Sequence, residues 1–386
     1  MRKKALLICV LAAGLSFLTS YSFADWGPAK RLTWTADESW NPVLAIDSGG
    51  VIHVVWSDYT PGNSEIFYKS STDGGASWNP NKRLSWTPAN SEDTAVAIDS
   101  SGTLHVVWSD VTPGQMEIYY KKSEDTGATW SPTQRITWTS GTSLEPAIAI
   151  DSSSVIHVVW YDDTPGLGQS DIYYKSSEDS GATWSPARRL TWTPALSYNP
   201  AIAAGAGDTL HIVWYDYLAG NREIYYKASP DGGIGWSAAR RLTWTAGDSY
   251  APVMATDSSD GIHVVWDDDT PGNREIYNKK SPDGGSTWDP VQRITWTSGE
   301  SYDPAMAVDS SDAIHIVWAD FASDGYEIYY KRSDDGGISW SDAQRITWTS
   351  GGSYRPAIAL DSGNSLHVVW MDNTPGNREI YYKKGN

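Results

Sequence analysis

A unit of about 52 residues repeated seven times, four short strand-like runs in each unit, and two chain ends that complete one another predict an all-β fold. Such a pattern is that of a seven-bladed β-propeller with four antiparallel strands per blade. The segment Arg-(Leu/Ile)-(Thr/Ser)-Trp-Thr begins at Arg31, Arg83, Arg135, Arg189, Arg241, Arg293 and Arg345. A second segment, His-(Val/Ile)-Val-Trp, carries His53, His105, His157, His211, His263, His315 and His367, which are all the histidines of the chain. Of the 22 tryptophans, 21 fall into three sevenfold series and only Trp40 stands outside them. The repeat therefore accounts for nearly all of the aromatic content.

Within the fifth unit the strands are expected at Pro252 to Thr256, Ile262 to Asp267, Glu275 to Lys280 and Trp288 to Thr297. Turn-forming runs separate them: Asp257-Ser258-Ser259-Asp260-Gly261, Asp269-Thr270-Pro271-Gly272-Asn273 and Ser281-Pro282-Asp283-Gly284-Gly285. No stretch keeps a 3.6-residue period, which excludes a helical solenoid. The last unit stops at Tyr381-Tyr382-Lys383-Lys384-Gly385-Asn386, after its third strand. Trp26 to Trp34 matches the missing piece, so a strand from the beginning of the propeller is expected to close the ring and remove two free sheet edges.

Residues 1–24 read as a secretory signal: Arg2, Lys3 and Lys4, an apolar stretch from Ala5 to Leu18, and the small-residue ending Ser22-Phe23-Ala24. The expected organisation is thus a signal peptide, 1–24, and a single propeller domain, 25–386. Removing the signal would take the formal charge from −18 to −21 and remove Cys9, the only cysteine. Disulfides and cysteine-ligated zinc are then excluded. So acidic a chain repels nucleic acid and anionic membranes, and neither is an expected partner. A secreted monomer, extracellular or periplasmic, is expected.

The turn after each third strand reads Ser-x-Asp-x-Gly-x-x-Trp, with Asp73, Asp125, Asp179, Asp231, Asp283 and Asp335. It resembles the Asp-box, or bacterial neuraminidase repeat, of sialidases and related propellers. That resemblance implies a structural role for these six aspartates, on the face opposite an active site. A short carboxylate accepts turn N–H groups, Gly supplies positive φ and Trp packs between blades. The sevenfold His and Arg series read as structural for the same reason, because catalysis needs unequal groups.

The repeats differ at the other face. The column leading into the first strand reads Asn41, Asp93, Glu145, Asn199, Ala251, Asp303, Arg355, beside Trp40, Glu92, Leu144, Tyr198, Tyr250, Tyr302, Tyr354. The loop from second to third strand carries Ser57, Ser109, Tyr161, Tyr215, Asp267, Ala319, Met371, followed by the shared Asp58, Asp110, Asp162, Asp216, Asp268, Asp320 and Asp372. Arg222, Arg274 and Arg378 precede three of the third strands. Aromatic, acidic, amide and arginine groups at a channel mouth suit a polar or carbohydrate ligand. Candidate ligand contacts are accordingly Trp40, Tyr198, Tyr250, Tyr302, Tyr354, Arg355, the Asp58 series and Arg222, Arg274 and Arg378.

Tyr354-Arg355-Pro356 is the nearest match to the Arg-Ile-Pro motif of sialidases, lacking the Ile and lying in the last blade. If the chain is catalytic, Arg355, Asp93, Glu145 and Asp303 are the candidate groups, and the resemblance implies a glycoside hydrolase, exo-sialidase in type. It also extends to seven-bladed endo-glucanases and non-enzymatic lectins. No cofactor is expected; an acidic ring could hold calcium, although no loop has the spacing of a calcium motif. Near-equivalence of the copies favours a non-catalytic binding propeller for a glycan or an exported protein. The alternative is a sialidase-like or other glycoside hydrolase.

Overall fold

The computed structural model describes residues 24–386 apart from Pro61, Pro113, Pro165, Leu167, Ser323 and Asp324. Most of the expected signal segment therefore lies outside the described residues. The described chain forms 28 strands in seven four-stranded antiparallel sheets. In the first complete blade the strands are Ser39–Ile46, Ile52–Asp58, Glu65–Ser71 and Lys82–Arg83, numbered outward from the axis. Closure is as expected: Lys30–Arg31 pairs with Tyr382 and Tyr381, and Trp26 bridges to Gly385.

The fourth strand is shorter than its sequence suggests. In the fifth blade it is Gln292–Arg293 alone, not Trp288 to Thr297. Trp288 belongs to the Asp-box turn, where its Nε1 donates to Gly285 O, and Pro290 has no N–H. Beyond the two laddered residues a hydroxyl takes over from the backbone, and Ile276 N donates to Thr295 Oγ1 at 2.8 Å. The first strand is longer than expected, Ser249–Thr256, because its register slips at a bulge after Tyr250 and then resumes at Val253.

Each second strand is buried between neighbouring blades, which explains why its sequence is apolar apart from the histidine and the end of the strand. The core is seven inter-blade layers, such as Val55, Ile66, Tyr68 and Leu84 of one blade against Leu104, Val106 and Trp108 of the next. Lys69 reaches across a blade boundary to donate to Leu32 O at 2.7 Å, and six equivalent lysines do likewise. The Arg31 series pairs with a buried carboxylate on the adjacent third strand at 2.5–2.7 Å, from Arg31–Glu379 to Arg345–Glu327.

Six Asp-boxes have the expected geometry. Asp73 accepts from Ser71 Oγ at 2.8 Å and from Ser77 N at 2.8 Å, and Gly75 N donates to Ser71 Oγ at 2.9 Å. The hydrogen bond from the Ser77 hydroxyl leads the effects holding Asp73 down at about 2. Each box is also a docking point for the preceding blade. Tyr68 OH lies 2.7 Å from His53 Nδ1 and 3.0 Å from Thr126 O of the next box, sharing its proton between them. Its ring meets Trp130 edge-on at 5.1 Å. Gly127 (φ +84°) is required there, since an added Cβ would lie 2.0 Å from Tyr68 OH. Burial lowers the histidine pKa values, consistent with a neutral ring whose Nε2–H faces Asp47 Oδ2 at 3.4 Å.

One junction is incomplete. Asn278 stands where the tyrosine should be in the fifth blade, and among the described residues neither His263 Nδ1 nor Asn278 Oδ1 has a hydrogen-bond partner. Asn278→Tyr should supply the phenol and an edge-on contact to Trp340, raising stability by about 1 kcal/mol; Tyr68→Phe should lower it by about the same amount. Thermal unfolding of the two variants beside the parent checks both signs.

Candidate functional site

The blade-specific column lines the wide end of the central channel. Asn41, Asp93, Glu145, Asn199, Ala251, Asp303 and Arg355 all have φ between +43° and +54°, at the bulge in each first strand. A bulge re-aims the side chain of its extra residue, and here it turns all seven towards the axis. With the residues that follow them they enclose a funnel of about 510 Å³. All seven lack β-branching and carry a Cβ in the left-handed region, a conformation costly enough that the sheet must hold it.

The funnel is asymmetric. Arg355, exposed at its wall, donates from Nη1 to Asn41 Oδ1, and its Nε lies 3.9 Å from Asp303 Oδ2. On another arc Asn199 donates from its backbone N (3.1 Å) and Nδ2 (2.7 Å) to Glu145 Oε2. Burial raises Glu145 to about 7, with Asp93 beside it adding to the shift, and burial raises Asp93 to about 6, with Glu92 contributing. Asp303 is also raised by burial, against the pull of Arg355 and Arg274. Behind it, buried Asp267 is raised to about 8 by burial and then by Asp303, and sits 3.6 Å from Arg274 Nη1. Carboxyl groups that keep protons near neutrality thus stand beside a guanidinium in one cavity.

A side pocket of about 250 Å³ adjoins the funnel between the first two blades, sharing Asn41, Asp93 and Arg355 with it. Ser57, at a position that Tyr161 and Tyr215 hold in other blades, forms part of its wall. Trp40, Tyr59 and Glu92 make the remaining wall, with Tyr59 OH donating to Glu92 Oε1 at 3.0 Å.

The sequence-predicted contacts divide three ways. Arg355, Asp93, Glu145 and Asp303 are brought together. The Asp58 series is not at the mouth: Asp58, Asp110, Asp162, Asp216, Asp268, Asp320 and Asp372 are buried. Asp58 accepts from Ser39 Oγ (2.8 Å), Trp56 Nε1 (3.3 Å) and Thr60 N (2.9 Å), which makes it a brace between strands and turn. The same Ser contact recurs in every blade.

The aromatic column is largely spoken for within the protein. Arg378 lies 3.7 Å over Trp40, while Arg222 and Arg274 lie 4.5 and 4.0 Å from the ring of Tyr250. These arginines therefore cap aromatic faces, and Arg222 and Arg378 also pair with Asp248 and Glu38. Tyr302 and Tyr354 both pack on Tyr326 at 5.1 Å, and Tyr198 packs on Tyr161 at 4.7 Å. Asp267, Tyr161 and Tyr215 stand behind the site, Asp267 buried beside Asp303 and both tyrosines against Tyr198. Their signal was present, since they stand in a column where the blades disagree.

Among the described residues no group of three or more His, Cys, Asp or Glu side chains is placed to hold a metal ion, and no helix is long and apolar enough to cross a membrane.

Fold, boxes and funnel define an Asp-box propeller with one polar, blade-specific cavity on its axis. The model of the BNR repeat-like domain matches residues 117–316, more than half of the chain, and the protein belongs to that family. No curated protein matches the sequence. Among solved structures the chain is similar to a polysaccharide lyase, an ulvan lyase bound to -[GlcA(1-4)Rha3S]-, at 12% identity, TM-score 0.66, over 92% of this chain and 95% of that one. It is similar to the NanB sialidase from Streptococcus pneumoniae at 15% identity, TM-score 0.53, over 92% and 70%. An α-L-arabinofuranosidase from Fusarium graminearum matches at 14% identity, TM-score 0.57, over 75% and 91%. At such identities the likeness is one of fold.

A pH dependence follows from the raised carboxyls. The folded chain holds protons on Glu145 and Asp93 above their ordinary values, so these groups favour folding increasingly as pH falls from about 8 to about 5. Glu145→Gln should raise the melting temperature at the upper end of that window and flatten its pH dependence, measured by calorimetry across the range.

Proposed function

We propose that the protein is a glycan-binding propeller whose ligand enters the central funnel and its side pocket. One observation carries this reading: a column at which seven otherwise equivalent blades differ in chemistry converges on the axis, where it presents unlike polar groups. Drift at exposed loops would scatter such differences. Arg355 and the Asn41 and Asn199 amides supply donors, Asp93 and Asp303 supply acceptors, and the Trp40 and Tyr59 wall bounds the side pocket. Arg355 is suited to an acidic substituent on the sugar. Family membership and the glycan-processing enzymes among the similar folds support the class of ligand.

Glycosidic cleavage in the same funnel is the second reading, favoured by the raised carboxyls. Cleavage needs one carboxyl that is protonated at working pH and one that is ionised. Glu145, at about 7, suits the acid, and Asp93, at about 6, suits the partner. We infer secretion from the basic and apolar segment at the start of the chain, and a monomer from outer edge strands that are only two residues long.

Glycan-array binding of the purified chain, beside hydrolysis tests on a sialoside and a β-glucan, separates the two readings. Binding without turnover, weakened about tenfold (about 1.4 kcal/mol) by Arg355→Ala, is the expected result. Turnover that Glu145→Gln abolishes would establish the hydrolase instead; no binding that depends on Arg355 would refute both.

A further inference from the structure

Seven tryptophans face solvent on the outer rim: Trp34, Trp86, Trp138, Trp192, Trp244, Trp296 and Trp348, each 66–68% exposed. A soluble chain seldom displays so much indole, and scattered exposure is not the pattern here, because each one occupies the same place at a blade junction. The hydrophobic core does not include these rings. Each core position beside them is filled by the preceding Leu or Ile, as Leu32 and Leu84 show. The flanking cations are satisfied without them: Arg31 by Glu379 and Thr33 O, Lys69 by Leu32 O.

The setting of each indole is a groove. Trp296 projects from the end of the fifth blade towards the sixth, where Tyr329, Lys331, Asp320 and Phe321 help line a cavity of about 580 Å³. Corresponding Trp and Lys neighbours recur around the ring, with the lysine Nζ 5.3–5.8 Å from the indole centre. The outermost strand stands three strand spacings, roughly 14 Å, from the innermost, so these grooves are separate from the funnel.

We propose that the seven rim indoles are equivalent, weak sites for the pyranose rings of a neutral polysaccharide. A flat apolar face bordered by hydroxyl, amide and phenol groups stacks on the C–H face of a sugar and hydrogen-bonds its rim. The neutral class follows from charge. The arginine beside each indole is ion-paired and the lysine is bonded to a backbone carbonyl, and a chain of formal charge −18 disfavours acidic polymers. Sevenfold repetition makes weak sites useful on a polymer, since each bound unit raises the effective concentration of the next. The rim would then hold the protein on a polysaccharide while the funnel meets a different glycan.

The test uses the full chain with 5-fluorotryptophan and neutral hexaoses of cellulose, xylan, mannan, laminarin and chitin. One of these should shift the fluorine signals of the exposed indoles while those of buried Trp56 and its equivalents stay unmoved. A variant with all seven rim tryptophans changed to Ala should lose about a hundredfold in apparent affinity for the matching insoluble polysaccharide. Arg355→Ala should leave that affinity intact, which separates failure here from failure of the funnel reading. If the sevenfold variant does not fold, Trp296→Ala alone should remove one signal and lower the binding stoichiometry by one site. Any of three results would overturn the proposal: no hexaose moves the rim signals, binding is one to one and lost with Arg355→Ala, or the rim variant alters only self-association.

Discussion

Five of the seven blades are secured to the next by a tyrosine that reaches the following Asp-box. Tyr68 and its equivalents leave the third strand, accept the company of a buried histidine and end against the backbone of the following Asp-box. The box glycine has no side chain because the phenol takes that space. Four of these contacts are made along the chain, and the fifth, from Tyr382, can be made only by closing the ring. Tyr382 reaches Gly74 O at 3.1 Å, and Trp26 covers Tyr330 where the last box is missing. Asp-box, histidine series and terminal strand are therefore parts of one junction rather than separate motifs.

That junction explains why the repeats tolerate so little change on one face and so much on the other. Residues on the box face touch the neighbouring blade and are buried with it, so a substitution there disturbs two blades, as Asn278 illustrates. The bulge residues touch the axis. Their only shared demand is a left-handed backbone without a β-branch, which Asn, Asp, Glu, Ala and Arg all meet. Chemistry can vary there without cost to the ring, and the funnel is where it does.

Burial and charge then give the funnel its character. Carboxyls drawn from three blades line the funnel with the Arg355 guanidinium, and desolvation rather than any one neighbour lifts their proton affinities. The rim is the opposite kind of surface, sevenfold, with its arginines ion-paired and its lysines bonded to backbone carbonyls. An asymmetric centre and a symmetric edge can serve recognition in different ways on one scaffold.

Blade number, strand order, ring closure and the structural role of the box were legible in the sequence, because periodicity and turn residues are local and the chain carried seven copies for comparison. So was the column that became the funnel, including Asp93, Glu145, Asp303 and Arg355. The Asp58 series was misplaced because its neighbour in sequence, Ser57, faces the side pocket while Asp58 turns inward to Ser39, nineteen residues away. Arg222, Arg274 and Arg378 were likewise read as free when they cover Tyr250 and Trp40. Sequence states which residues share a position in the repeat; only packing between blades decides which of them point at solvent, at the axis or at each other, since those contacts join residues far apart along the chain.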